Sequence, residues 1–377
     1  MIGLLGFGTV GQGVWEILGK NQFPYAVKKI LIRNLKKERP GMEDKKIFTD
    51  NPEEILEDKE IRIILECTGD DRAYNWIKKA FESGKDVVTA NKKVVSEHFE
   101  ELSALAEEKG CAFLYEASVA AGTFLLKPLK EEKKWSEISQ VEGILNGTSN
   151  FILTKMQNKS YEEALKEAQD SGYAEEDPSA DVKGLDAMRK LRIFSTLAFG
   201  GKVGEEDIFT LGIQNLEKKD LDFFKEQGYG VKLLAKGVKR GDEVTAYVMP
   251  TAIPLCRTVA RIDGTRNLGS FTSTNGGQYV FEGLGAGKLP TADAMLRDTA
   301  DILEKRCSKK NPLGQEKLSL KQARGQVYFR FHDREEESWK TLAKGPWGEG
   351  YISIPVDLEK FSDFPGTVIL LEDEHAL

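Results

Sequence analysis

The chain has 377 residues, enough for two or three domains with sizeable cores, and it is 40% hydrophobic and 31% charged, as soluble globular proteins are. Its net charge of −7 comes with both signs mixed along the chain, which favours solubility and gives nucleic-acid binding no support. No window approaches the apolar run that spans a bilayer, and Cys67, Cys111, Cys256 and Cys307 form no CxxC pair, against a zinc ribbon, a thioredoxin-type centre or a disulfide framework. His98, His332 and His375 are too few for a histidine-rich metal site. The opening MIGLLGFG lacks the basic region and cleavage site of a secretory signal, so the expected location is the cytoplasm.

Residues 1–115 alternate between strand and helix patterns. Ile2–Leu5 reads as a strand, Val10–Leu18 as a helix and Lys29–Ile32 as a strand. Ile61–Cys67 is a short apolar run of the kind buried on both faces of a parallel sheet. Arg72–Glu82 has helical spacing ended by Gly84, and Asp86–Ala90, His98–Lys109 and Cys111–Tyr115 continue as strand, helix and strand. This alternation predicts an α/β fold with a Rossmann-like, doubly wound parallel sheet. The middle of the chain has a different texture. Ile138–Leu145, Val231–Lys239, Glu243–Pro250 and Gly277–Phe281 read as strands. Helices are expected around Ser149–Gln157, Tyr161–Ser171, Leu185–Phe199, Glu205–Thr210 and Ala292–Arg306, which predicts an α+β region. After the linker-like KKNPLGQEK come a strand (Val327–His332), an acidic helix (Glu335–Ala343) and strands at Tyr351–Val356 and Val368–Leu371.

Gly6-Phe7-Gly8-Thr9-Val10-Gly11 fits GxGxxG between a strand and a helix. Glycines there permit a tight turn and a close approach of backbone to pyrophosphate at the helix N-terminus. At the end of the second strand, where the adenosine ribose is read, stand Arg33 and Asn34 with Lys36 and Lys37, and no acid. A guanidinium suits a 2′-phosphate, so NADP is favoured over NAD. Thr68-Gly69 and Asn91-Lys92 follow the next two strands and fall on the same ligand-binding edge.

In Leu185–Phe199, Ala187, Leu191, Phe194 and Ala198 mark one face as core, while Asp186 and Lys190 are i,i+4 neighbours on another. Taken alone, such a pair is an exposed ion pair worth a few tenths of a kcal/mol, about the usual value for helix surfaces. Glu175 and Asp181 lie just upstream in GYAEEDPSAD, however, and several carboxylates around one lysine make a cage for a ligand with an ammonium and a hydroxyl.

GYAEEDPSADVKGLDAMRK resembles the signature of the homoserine dehydrogenase family. The likeness extends through GFGTVG, TANK, YEASVAAG, ILNGTSNFIL, LAFGG, GYGVKLLA, MPTAIP and GLGAGKLPTA, in the family's order over residues 1–310. It implies NAD(P)-dependent interconversion of L-homoserine and L-aspartate 4-semialdehyde, a step in threonine and methionine biosynthesis. It makes Lys190 the acid/base or hydroxyl-orienting lysine and Lys92 a second lysine at the reacting oxygen. Glu175 and Asp181 then hold substrate, Asp186 assists Lys190, and Asn146-Gly147-Thr148 with Tyr173 line the amino-acid end. Gly287, in GLGAGKLPTA, joins the cofactor contacts. Glu116 takes the family's sodium position, with main-chain oxygens of Val119, Ala121 and Thr123; AAGTF stands here where the family has GGIP.

The expected organisation is a dinucleotide-binding domain at 1–130 with 286–310 packing back on it, a catalytic and dimerisation region at 131–285, and an appendage at 311–377. The appendage is ACT-like at best, because it lacks a D-x-P-G-V turn and the length of a full β-α-β-β-α-β unit. Its Trp339, Trp347 and Tyr351 are expected in a core. The family likeness also implies a homo-oligomer, a dimer or tetramer, paired through strands of the middle region. Two alternatives are a catalytically silent dinucleotide-binding sensor and another semialdehyde oxidoreductase. The first has no use for a proton-accepting lysine; one using a catalytic thiolate needs a cysteine beside a base, and no such setting is seen.

Overall fold

The computed structural model describes residues 1–20, 26–37, 45–310, 312–313, 318–332 and 336–372. Most of the linker KKNPLGQEK, Glu335 and His375 lie outside them. The chain divides into two compact units, Met1–Pro128 with Ala286–Glu316 and Leu129–Gly285 with Lys317–Leu377.

The first unit is built on β1 (Ile2–Leu5), β2 (Val27–Leu31), β3 (Phe48–Thr49), β4 (Ile63–Glu66), β5 (Asp86–Thr89) and β6 (Phe113–Leu114). Among the described residues these form a six-stranded sheet in the order β3-β2-β1-β4-β5-β6, each neighbouring pair parallel. β1 and β4 are fully buried, as their unbroken apolar runs require. The chain winds outward to β3 and then returns to the other side of β1, so the crevice of an open α/β sheet falls at the carboxyl ends of β1 and β4. The helix Lys288–Leu303 belongs to this unit and presses against Thr9–Lys20: a Cβ on Gly13 would meet the Lys288 carbonyl oxygen at 2.5 Å. Ala292, Met295 and Leu296 complete the core beneath β1 and β2.

The second unit carries β7 (Ile138–Ile144), β8 (Ile208–Thr210), β9 (Tyr229–Arg240), β10 (Glu243–Pro254), β11 (Arg266–Ser273), β12 (Gly277–Leu284), β13 (Ser319–Leu320), β14 (Arg324–Gly325), β15 (Val327–Phe331), β16 (Ala343–Trp347), β17 (Gly350–Ser353), β18 (Val356–Asp357) and β19 (Gly366–Leu371). Its main sheet runs β12-β11-β7-β9-β10-β19-β15-β17-β16, so the C-terminal strands extend the sheet of the middle region. The expected helix Glu205–Thr210 is instead a single 3₁₀ turn, Glu205–Asp207, running into β8, because Ile208–Thr210 pairs with Ala246–Val248. The acidic helix shrinks to Glu337–Lys340, and Ala343–Trp347 is a strand paired with β17. Trp339 stacks on Phe361, Trp347 packs edge-on against Phe223 and Phe224, and Tyr351 stacks on Phe329, so these rings serve the core. Behind them the buried Arg330 guanidinium donates two bonds to Asp220 at 2.7 and 2.8 Å, forked geometry that keeps a buried ion pair satisfied.

Among the described residues no helix is long and apolar enough to cross a membrane.

Candidate active site

In the first unit the GxGxxG segment turns out of β1 with Gly6 at φ 102°, and the helix begins at Thr9, with Val10 in its first turn. A Cβ on Gly11 would stand 2.2 Å from the Gly6 carbonyl oxygen, so glycine is required for the helix to leave the strand this closely. Gly8 is different: nothing lies within 4 Å of where its Cβ would be. That open side faces a groove of about 680 Å³ lined by Gly6, Gly8, Arg33, Thr68, Asp70 and Trp76 among others. A groove beside a glycine with free space and a helix N-terminus fits a dinucleotide pyrophosphate.

Arg33 reaches Asp70 at 3.1 Å, and Arg72 grips the same carboxylate with two bonds at 3.0 and 2.8 Å while lying over the Trp76 ring. The Arg72 hydrogen bond holds the Asp70 carboxyl well below the usual carboxylate range. Two guanidiniums therefore border the groove, where the sequence pattern pointed to Arg33 alone. Arg72 sits 39 positions later, and only the adjacency of β1 to both β2 and β4 brings the two together.

Thr68 and Asn91 share one buried anchor. Glu66, at the end of β4, accepts from the Thr68 amide at 2.7 Å and hydroxyl at 2.6 Å, and from the Thr89 hydroxyl at 2.5 Å. Thr89 accepts from the Asn91 amide at 3.0 Å, and Asn91 caps the helix Lys92–Glu97 by accepting from Val94. Burial pushes the Glu66 carboxyl above its ordinary range, partly offset by these donors. Lys92 is thus the first residue of a capped helix that follows β5, and Gly69 stands exposed at φ 64° in the loop after β4. Gly287, at φ 123°, is the residue from which Lys288–Leu303 starts. Burial also pushes the Cys67 thiol up, the opposite of what a nucleophilic thiolate needs.

Glu116 is buried, and its carboxylate accepts from the backbone amides of Leu125, Leu126 and Lys127 at 2.6, 2.9 and 2.8 Å. Its side chain therefore caps the helix Leu126–Glu132. Between them Ala120, Ala121 and Phe124 take positive φ of 54°, 31° and 55°, a constrained backbone for residues other than glycine.

In the second unit the helix Leu185–Phe199 is bounded by left-handed glycines, Gly184 and Gly200, and is buried nearly all round. The Asp186–Lys190 pair shares that burial: the Nζ–Oδ2 distance is 2.7 Å and the side chains are 4% and 10% exposed. The surface reading of this pair is thereby overturned. Lys190 also donates to the Leu145 carbonyl at 2.7 Å. Asn146 donates from its amide to Asp181 at 2.6 Å and to Asp186 at 2.8 Å, and its own oxygen accepts from the Ser149 amide at 2.7 Å, capping Gly147–Lys155. Thr148 donates to the Tyr173 carbonyl at 2.8 Å, and the Tyr173 ring rests on Phe151 with about half its surface exposed. The structure so brings together Asp181, Asp186 and Lys190, and holds Thr148 to Tyr173. Glu175 lies exposed in the turn before Ser179–Val182, and its backbone oxygen accepts from Gln169.

A larger cleft in this unit, about 900 Å³, is lined by Lys236, Arg240, Glu243, Lys321, Arg324 and Glu372 among others. Several of its charges pair locally, as in Lys236–Glu372 at 2.9 Å and Arg324–Asp357 at 3.1 Å, and none of the residues singled out for chemistry lines it.

Residues 6–116 match the family model described as homoserine dehydrogenase, NAD binding domain, and residues 125–300 match that of homoserine dehydrogenase. The chain is 37% identical over 314 residues to the homoserine dehydrogenase of Bacillus subtilis (strain 168), covering 80% of this chain and 72% of that one. Among solved structures it is similar to a homoserine dehydrogenase from Thiobacillus denitrificans, at 30% identity and a TM-score of 0.87, covering 99% of this chain and 98% of that one. It is also similar to a hyperthermophilic archaeal homoserine dehydrogenase mutant in complex with NADPH, at 27% identity and a TM-score of 0.70, covering 81% of this chain and 97% of that one. The chain belongs to the homoserine dehydrogenase family: it is a nicotinamide-dinucleotide-dependent oxidoreductase that acts on a CH–OH group, interconverting L-homoserine and L-aspartate 4-semialdehyde.

Proposed function

We propose that Lys190 is the acid/base of this reaction and that Asp186 orients it. The observation that carries this reading is the burial of the pair, since a lysine is withdrawn from water and fixed by two oxygens at 2.7 Å only at a cost that a surface role does not justify. In the oxidising direction the bound dinucleotide supplies the hydride acceptor. Lys190 in its neutral amine form takes the hydroxyl proton as the C4–H bond breaks, and in the reducing direction the resulting ammonium returns that proton to the carbonyl oxygen. Asp181 and Glu175 hold the substrate's ammonium, Asp181 from within the cluster and Glu175 from the exposed turn. Thr148 and Tyr173 line the amino-acid end. The family resemblance alone makes Lys92 a second lysine at the reacting oxygen. The first test is the initial rate of reduced-nicotinamide formation from L-homoserine with NADP⁺ and NAD⁺ in parallel; a folded protein with no homoserine-dependent rate overturns the assignment.

NADP is the preferred cofactor in this reading, with Arg33 receiving the 2′-phosphate at the groove it borders with Arg72. Arg33→Asp replaces an attractive charge by a repulsive one beside Asp70. It is expected to raise the KM for NADP⁺ by about 10–100-fold, the worth of a charged hydrogen bond, and to leave NAD⁺ little changed. Equal effects on both cofactors sink the preference.

A sodium ion at the 116–124 stretch would draw on the main-chain oxygens of Val119, Ala121 and Thr123, because the Glu116 carboxylate already accepts from three amide donors. The strained turn at Ala120 and Ala121 supports a built site there, and a dependence of rate on sodium tests it. For a homo-oligomer the support is β12, an outer strand with Tyr279, Val280 and Leu284 exposed.

A further inference from the structure

We propose that Asn146 is a positioning residue of the reaction, a neutral bridge that holds Asp181 and Asp186 side by side and thereby fixes where Lys190 points. The inference rests on the role given to Lys190 above and adds a residue that acts through it.

The geometry leaves one orientation for the Asn146 amide. Its oxygen faces the Ser149 backbone N–H at 2.7 Å, an obligate donor, so its NH₂ group faces the two carboxylates. Both of its N–H donors are then used, one on Asp181 at 2.6 Å and one on Asp186 at 2.8 Å. The Asp186 oxygen that accepts this bond is the one that accepts from Lys190 at 2.7 Å. Lys190 is in turn tied to the carbonyl of Leu145, the residue just before Asn146. One dipeptide, Leu145-Asn146, therefore supports both the lysine and its partner acid, and Asn146 is only 5% exposed.

Helix capping does not demand this residue. Asparagine and aspartate cap helix N-termini about equally well, so a cap alone would accept an aspartate in its place. What aspartate lacks is the pair of donors. The titratable and charged groups that Asn146 faces are Asp181, from the helix Ser179–Val182, and Asp186 with Lys190, from Leu185–Phe199. A carboxylate introduced here would oppose two others at hydrogen-bond distance, and the cluster would hold Lys190 in its protonated form.

The test is steady-state oxidation of L-homoserine by Asn146→Asp and Asn146→Ser across pH, in full-length protein whose fold is checked by circular dichroism and melting. Asn146→Asp keeps the cap, loses both donors and adds a charge. It is expected to lower kcat by about 10–100-fold and to move the rising limb of the kcat profile up by about one pH unit, the scale of a close charge contact. Asn146→Ser keeps a capping oxygen without the charge and is expected to lower kcat by about tenfold, a typical hydrogen-bond loss, with the limb unmoved. Neither should change the KM for dinucleotide. If either variant is folded and shows the wild-type kcat and pH profile, Asn146 is a helix cap and the proposal falls. Full turnover by Lys190→Ala would instead remove the reading beneath it, a result that the Asn146 variants cannot imitate.

Discussion

Lys190→Ala is expected to lower kcat for homoserine oxidation by about 10²–10⁴-fold, the usual range for removing a general acid or base. The dinucleotide KM should stay near that of the unaltered chain, because the groove assigned to the cofactor is built from residues of the first unit and Lys190 does not line it. The loss has two physical parts. The proton acceptor is gone, and the positive charge that steadies a developing alkoxide goes with it. The buried Asp186 is also left without its cation, a change that costs about 3–5 kcal/mol when a buried pair is broken outright. Here the Asn146 amide still donates to Asp186, which keeps that cost toward the lower end. Circular dichroism and melting separate lost chemistry from lost fold. Added small primary amines supply the missing proton acceptor in the cavity left by the truncated side chain, so partial rescue of kcat is expected from methylamine or ethylamine. A folded Lys190→Ala protein with full turnover overturns the mechanism.

The parts of this site that the sequence made legible are those whose physics is local. GxGxxG after an apolar strand announces a turn, and Asp186 and Lys190 are neighbours by helical geometry alone. The run Ile61–Cys67 reads correctly as a buried strand, yet the same pattern conceals Glu66. Its burial is tolerable because Thr68, through amide and hydroxyl, and, 23 positions away, the Thr89 hydroxyl donate to it. Asn146 is harder still: its two partners lie 35 and 40 positions downstream, and no local pattern marks a residue that bridges them. Burial of the Asp186–Lys190 pair is likewise a property of what packs around the helix, so a helical wheel shows an ion pair and misses its surroundings. β11 is hidden in the sequence for a related reason. RNLGSFTS is polar and glycine-containing, and it becomes a strand because β7 and β12 pair with it on both sides. In the same way Ile208–Thr210 follows an acidic stretch that looks helical, and pairing with β10 makes it extended.

The two glycines at the mouth of the groove should separate what the fold needs from what the cofactor needs. Gly11→Ala puts a methyl 2.2 Å from the Gly6 carbonyl oxygen, a backbone atom that cannot rotate away. The helix Thr9–Lys20 must then move off β1, and overpacking of this kind costs about 1–3 kcal/mol. That shift carries the first-turn amides away from the pyrophosphate, and it disturbs the packing of Gly13 against Lys288 as well. Gly11→Ala is therefore expected to melt several degrees lower and to lose measurable dinucleotide binding. Gly8→Ala meets no atom within 4 Å, so the unliganded protein should melt as the unaltered chain does. Its methyl occupies the space through which backbone and pyrophosphate approach each other, and a rise in the KM for either dinucleotide of about tenfold or more, ~1.4 kcal/mol, is expected. Thermal melting with and without NADP⁺ reads both effects in one experiment: the Gly11 variant starts low and gains nothing, while the Gly8 variant starts normal and gains less. Normal ligand-induced stabilisation of Gly8→Ala would mean that the dinucleotide does not pass over this turn, and the groove bordered by Arg33 and Arg72 would lose its assignment.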